Sequence, residues 1–297
     1  MSEGYRPAAR GLSRRSLFAS TGLLGLAAVG MSAVSPPAGD VRHVLVHNAT
    51  EEITATLPGP VVRIERVYSA ARGREVDVVA IVPGGVPTDR LPMSILLHGR
   101  KGSARTAAVG GLAEKLAAAV TAGRVPPFGF LAVDGGDNYW HENHSGDDPM
   151  SMLLDEVPHW LASRGLAETP FACTGVSMGG FGAMLYARRR TERGNPARAV
   201  AAVSPGLLTS WADMSRRNAF ASEAQWGELD PLRNIDKLGP APMALWCGDR
   251  DRFVEGCRRF IAHAPLEIAA ITPGGHNDDY WRTVTPDVVR FLGGHVG

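Results

Sequence analysis

The sequence predicts an α/β fold: a mostly parallel central sheet covered on both faces by helices. Three observations carry this. Short, continuously apolar runs recur along the chain, at 93–97, 128–133 and 199–203 among others, as expected of strands buried on both faces. Stretches with helical spacing of apolar residues separate them, which is the alternation a parallel sheet requires. The apolar runs end in small clusters of Gly, His, Asp and Ser, where open α/β sheets bind their ligands.

Residues 1–39 read as a targeting segment. Arg6 and Arg10 precede Ser13-Arg14-Arg15-Ser16-Leu17-Phe18, and an uncharged stretch rich in Gly, Ala and Ser runs over 17–34. A basic start, paired arginines and a weak hydrophobic region match a twin-arginine export signal. Pro36-Pro37-Ala38-Gly39 then serves as processing region or linker. The uncharged stretch is near the lower length limit for a membrane span, so an uncleaved anchor stays open, as does a disordered tail. The expectation is one catalytic domain, 40–297, working in the periplasm, the cell envelope or outside the cell, with room for membrane or envelope association.

From there the elements follow in order. Strands are expected at 41–46, 61–68 and 74–83, the last stopped by Pro83, as an antiparallel opening to the sheet. The buried strand 93–97 leads into His98-Gly99-Arg100-Lys101, and a helix covers 111–122. The strand 128–133 ends at Asp134-Gly135-Gly136. A helix is expected over 152–164 despite Pro158, then a strand at 171–174 and a helix over 183–190. The strand 199–203 is followed by an irregular stretch, 207–238, holding Trp211 and Trp226. That stretch is too long for a plain connection and reads as a cap-like insertion. Strands at 243–247 and 266–272 and a helix at 285–292 close the chain.

Composition sets limits on function. The 297 residues carry 31 Lys and Arg against 30 Asp and Glu. Without residues 1–39, which hold four Arg and one Glu, the balance is 27 to 29. No charge excess points to nucleic acid. Three cysteines, Cys173, Cys247 and Cys257, are too few for a disulfide-built fold. Cys247 with Cys257 as a pair, and three packed thiols, both remain open.

The chemistry gathers around Gly175-Val176-Ser177-Met178-Gly179-Gly180. Gly-x-Ser-x-Gly between an apolar run and a helix is the setting of a nucleophile elbow. Ser177 needs a base and the base an acid, in the chain order Ser, acid, His. His276, on a glycine-hinged loop after the last strand, is the expected base. Asp251 is the expected acid, with Asp249 as its rival on the same loop. The oxyanion hole should use the backbone N–H of Met178 and that of Arg100 or Lys101. The side chains of Arg100 and Lys101 are expected to point outward or to hold an anionic part of the substrate. Asp134, Tyr139, Trp140 and His141 read as a substrate wall, joined by Trp211 and Trp281. His98 reads as a loop-bonding residue. No histidine pair has ligand spacing, so no metal and no cofactor is expected. Asp147-Asp148 with Asp155 and Glu156 fits no calcium loop.

These residues carry a resemblance. Leu97-His98-Gly99, Asp134-Gly135-Gly136 with Tyr139-Trp140, the Ser177 elbow, Cys247-Gly248-Asp249-Arg250-Asp251 and Gly274-Gly275-His276 resemble the putative esterase branch of the α/β-hydrolases, over roughly residues 60–292. That branch includes esterase D (S-formylglutathione hydrolase), feruloyl-esterase-like proteins and the mycobacterial antigen 85 mycolyltransferases. The resemblance implies the α/β-hydrolase fold, a serine nucleophile, and a small-molecule, lipid or sugar ester as substrate. In relatives the second aspartate of the strand-end loop is often followed by Pro, where this chain has Arg252. The expected function is an exported serine esterase. An acyltransferase using the same triad and a non-catalytic binding protein on this fold are the rivals.

Overall fold

A computed structural model describes residues 59–142 and 144–297. The expected targeting segment and the expected strand at 41–46 lie outside those residues.

An eight-stranded sheet in the order β1-β2-β4-β3-β5-β6-β7-β8 forms the centre. β1 (Pro60–Ser69) and β2 (Arg74–Pro83) form a hairpin, and β2 also pairs antiparallel with β4. All later pairings are parallel: β3 (Met93–Leu97), β4 (Gly129–Val133), β5 (Ala172–Val176), β6 (Ala199–Val203), β7 (Met243–Gly248) and β8 (Ile268–Thr272). β3 through β6 are buried at every position, which is why they read as unbroken apolar runs rather than alternating ones.

Helices cover both faces. On one, α1 (Leu112–Thr121) and the last helix pack over Val79, Leu96, Phe130 and Trp246. The other face buries Ile95, Leu97 and Leu245 under the rest. There, α2 (Pro149–Ser151), a π-helical turn (Met152–Glu156) and α3 (Val157–Ala162) form one winding. The wide turn directly precedes Pro158, whose missing N–H leaves a carbonyl one turn back without its usual partner. α4 (Met178–Glu192) starts five residues before the expected helix, at the residue after Ser177, and is buried over most of its length.

The insertion after β6 is not featureless. It contains α5 (Trp211–Ser215) and α6 (Glu223–Leu229), capped by Ser210 and Ser222. It is tied to the body by Met214, Phe220, Trp226 and Leu229 in the core and by Arg188 Nη1 donating to Glu228 O at 2.6 Å. α7 (Val254–His263), with no counterpart in the sequence reading, leaves the loop after β7. α8 (Asp278–Gly293) begins seven residues before the expected helix, because the Asn277 side chain caps it by accepting from Tyr280 N. Cys173, Cys247 and Cys257 are buried free thiols. No helix among the described residues is long and apolar enough to cross a membrane.

Candidate active site

The turn from β5 into α4 holds Ser177 at φ 57 and ψ −120, a region that costs free energy for any residue with a side chain. The surroundings over-determine it. Ser177 N donates to Val203 O at 3.0 Å, and Ser177 O accepts from Gly180 N at 3.0 Å and Gly206 N at 2.8 Å. A Cβ at Gly175 would collide with the Gly179 backbone, and one at Gly179 with the carbonyls of Leu97 and His98. The elbow therefore closes only with glycine at both places, as the motif suggested.

Two later strand ends complete a relay. The Ser177 hydroxyl lies 3.0 Å from His276 Nε2, and His276 Nδ1 lies 2.8 Å from Asp251 Oδ2. With a neutral imidazole between a hydroxyl and a carboxylate, Nδ1–H donates to Asp251 and Nε2 accepts from Ser177. Asp251 is buried, and its other oxygen accepts from Phe253 N at 2.9 Å. Burial acts to raise its pKa, but hydrogen bonds from His276, Phe253 N and the Ser204 hydroxyl outweigh it and hold the carboxyl below the usual range. Asp249 is placed elsewhere: its carboxylate accepts from Gly274 N at 3.0 Å and pairs with Arg250 at 3.3 Å. It anchors the histidine loop rather than the imidazole.

The backbone amides expected at the oxyanion hole differ in their surroundings. Met178 is the first residue of α4, so its N–H has no intrahelical acceptor. Gly206 leaves that amide open, since a Cβ there would come within 3.4 Å of Met178 N. Across the cleft, Gly99 lies against the elbow, its missing Cβ 3.5 Å from Ser177 Cβ. Lys101 N donates to Asp137 Oδ1 at 2.6 Å, so that amide is taken. Arg100 N has no acceptor among the described residues, so that amide is open.

The expected substrate wall is assembled differently. Asp134 accepts from Asp77 N at 2.9 Å and Ala104 N at 2.7 Å, and its carbonyl accepts from Arg72 Nη1. Trp140 is fully buried against Gly135 and Gly182, donating to His98 O at 3.3 Å. His141 is buried, its Nε2 2.6 Å from Ala219 O, with its ring stacked on Phe220. Tyr139 packs edge-on to Phe181, and its ring lies 3.2 Å from where a Gly206 Cβ would stand, beside the Met178 amide. Its hydroxyl has no partner among the described residues. Trp211 packs on Trp226 within the insertion, ring centroids 6.0 Å apart. Trp281 does reach the relay: its ring meets His276 edge-on at 5.3 Å, and its Nε1 donates to Ser204 Oγ at 3.2 Å.

Two residues at the site escaped the sequence reading. Ser204, fully buried at φ 45, accepts from Trp281 Nε1 and helps to lower the Asp251 pKa. Phe253 packs edge-on against the His276 ring at 5.0 Å. Both follow strand ends, and that position was the available signal. Among the described residues no group of three or more His, Cys, Asp or Glu could hold a metal ion.

A mostly parallel eight-stranded sheet with this strand order, carrying a strained serine at a strand-to-helix turn, defines an α/β-hydrolase. The profile of the family described as Putative esterase matches residues 69–267, and the chain belongs to that family. No curated protein sequence matches the chain significantly. Among solved structures, it is similar to a ferulic acid esterase (TM-score 0.65, 18% identity, 80% of this chain and 99% of that one). An S-formylglutathione hydrolase from Agrobacterium tumefaciens is comparable (0.65, 17%, 82% and 98%). So is MPT51 of Mycobacterium tuberculosis (0.62, 18%, 80% and 99%). At such identities the likeness shows the fold. The family match makes the chain an esterase-type hydrolase.

Proposed function

We propose that the chain is a serine carboxylesterase acting through Ser177, His276 and Asp251. The observation that carries this is the continuous relay, with separations of 3.0 and 2.8 Å, from Ser177 through His276 to Asp251. As Ser177 Oγ bonds to the ester carbonyl carbon, its proton passes to His276 Nε2. The carbonyl oxygen becomes an oxyanion facing the N–H groups of Met178 and Arg100 at the positive end of α4. The ionised Asp251 stabilises the imidazolium. His276 then protonates the departing alkoxide, leaving an acyl-enzyme on Ser177. Water, deprotonated by the same imidazole, attacks the acyl carbon and releases the acid.

We place this activity outside the cytoplasm on the strength of Arg14-Arg15 and the weakly apolar stretch behind them. Lysine at both positions should abolish export of a reporter fused to residues 1–39.

The decisive test of the esterase reading is labelling by a fluorophosphonate probe, together with turnover of p-nitrophenyl esters of graded acyl length. Labelling and turnover should both vanish in Ser177→Ala. Full turnover in that variant would sink the assignment. Adding glycerol or a sugar to the assay separates hydrolysis from acyl transfer, because a transferase makes the acylated acceptor in place of free acid.

A further inference from the structure

Next to Phe253, the ring that packs on His276, the molecule has a cleft of about 440 Å³ lined by Leu208, Asp213, Arg216, Arg217 and Arg252. Its charges do not balance. Asp213 is occupied, accepting from Arg216 Nη1 at 3.0 Å and from Ser210 Oγ at 2.7 Å. Neither Arg217 nor Arg252 has a carboxylate partner among the described residues. Both guanidinium groups lie over the Phe253 ring instead, at 5.8 and 5.1 Å from its centroid. The same ring meets the imidazole of the relay edge-on, with centroids 5.0 Å apart.

A third arginine stands in the loop that packs against the Ser177 elbow. The Nε of Arg100 is buried without an acceptor, on the residue whose backbone N–H faces the oxyanion position. The fields of Arg217, Arg100 and Arg252 all fall on the Tyr139 phenol beside the Met178 amide. The nearby carboxylates are committed: Asp251 to His276, and Asp230 to Arg233. Like charges gathered without counter-ions repel one another and are relieved by an incoming anion. Guanidinium groups are also the side chains best shaped to hold carboxylate or phosphate oxygens.

We propose that this cleft is an anion subsite and that the substrate is an ester bearing a carboxylate or phosphate group, held by Arg217 and Arg252 while the ester carbonyl faces Ser177. The proposal rests on the esterase reading above and gives it a substrate class. The anion binds through paired N–H donors, and Phe253 keeps the two cations in place from below.

The test compares matched esters. For an anion on the alcohol part, 4-acetoxybenzoate and 4-acetoxyphenyl phosphate are set against neutral methyl 4-acetoxybenzoate. For an anion on the acyl part, the p-nitrophenyl monoester of adipate is set against p-nitrophenyl hexanoate. In at least one set the anionic ester should have the higher kcat/KM, by about tenfold per arginine engaged. The carboxylate and phosphate arms identify the preferred oxyanion. Arg252→Gln, at an exposed position, should lower the anionic-to-neutral ratio by about tenfold, and adding Arg217→Gln should bring it near unity. Salt at about 0.5 M should narrow the ratio in the same direction. A ratio unchanged by these substitutions overturns the proposal.

Failure of the esterase reading would look different: no fluorophosphonate labelling and no turnover of any ester. The subsite is then decided by calorimetric binding of 4-acetoxybenzoate and 4-acetoxyphenyl phosphate to Ser177→Ala protein. Binding lost on adding Arg217→Gln and Arg252→Gln supports it. No binding, or binding that survives both substitutions, overturns it.

Discussion

The loop after β4 and the loops after β7 and β8 carry much the same chemistry. The β4 loop on one side, and the β7 and β8 loops taken together on the other, each supply aspartates, a histidine, glycines and large aromatics at the carboxyl ends of strands. The molecule uses them in opposite ways. After β7 and β8, His276 turns toward Ser177 and Asp251 toward His276. After β4, Asp134, Asp137 and Trp140 spend their polar groups on backbone atoms of the segment 77–104. The first pair of loops presents an imidazole to the serine and a carboxylate to that imidazole. The second fixes the shape of the loop that presents Arg100. A cluster of polar residues at a strand end is thus a site only when its hydrogen-bonding capacity is not already used by the backbone around it.

The largest expected effect breaks the comparison at its catalytic end. Asp251→Asn should lower kcat on any ester by about 10³- to 10⁴-fold, because an amide favours the wrong imidazole tautomer and cannot stabilise the imidazolium. Asp249→Asn should leave kcat within about tenfold, since it loses only a bond to Gly274 N and a surface ion pair. Steady-state kinetics on the two variants decides between them. Equal losses would return the acid assignment to an open question.

Next in size is the scaffold end. Asp134→Ala removes acceptors from Asp77 N and Ala104 N and leaves a half-buried gap. The expected cost is about 2 kcal/mol of stability, the usual scale for orphaned backbone donors. Denaturant unfolding measures it. KM should move less than stability does. A variant of wild-type stability with a tenfold higher KM would instead make Asp134 part of the substrate wall.

Much of this was legible in the chain. The sheet was visible because strands buried on both faces leave continuous apolar runs, and the elbow because Gly175 and Gly179 have no room for a Cβ. Other features were not legible, for physical reasons. The inward use of the β4 loop depends on Tyr139 and Trp140 adopting φ of 60 and 64, which no pattern of residue types announces. Asp251 was the expected acid, but that Asp249 bonds Gly274 N and that Lys101 N is taken by Asp137 rest on hydrogen bonds between residues far apart in sequence. The helices α5 and α6 were missed because short segments held by caps and tertiary packing show little periodicity of their own.

A smaller effect probes the support behind the acid. Ser204 accepts from Trp281 Nε1, and its hydroxyl helps to hold the Asp251 carboxyl below the usual range. Ser204→Ala should lower kcat by about tenfold with little change in KM, since the hydroxyl positions the carboxylate and touches no substrate. The acid limb of the kcat profile should also move, because a carboxylate with one fewer donor holds its proton more readily. A change confined to stability, with kcat and its pH profile unmoved, would make Ser204 a packing residue only.

The subtlest prediction concerns the residue joining the two regions. Gly135 N donates to His98 Nε2 at 2.9 Å, so His98 Nδ1–H donates to Gly99 O at 2.8 Å and the ring is held neutral. A proton on Nε2 would face the Gly135 N–H. Burial pushes the His98 pKa below its ordinary 6.5, with the Gly99 bond and the charges of Asp134 and Asp137 opposing it and Arg72 adding to it. Burial lowers that of His141 in the same way. In the unfolded chain both histidines take up protons near pH 6.5, while the folded protein resists until lower pH. Stability from this source is therefore complete above pH 6.5 and declines as pH falls through the window down to the lowered values. Urea unfolding midpoints should fall between pH 7 and pH 5. His98→Asn should be less stable at pH 7 yet show a shallower decline, because one of the two proton-linked groups is gone. An equally steep decline in the variant would assign the acid sensitivity to other groups and remove His98 as the pH-linked clamp between the Arg100 loop and the β4 loop.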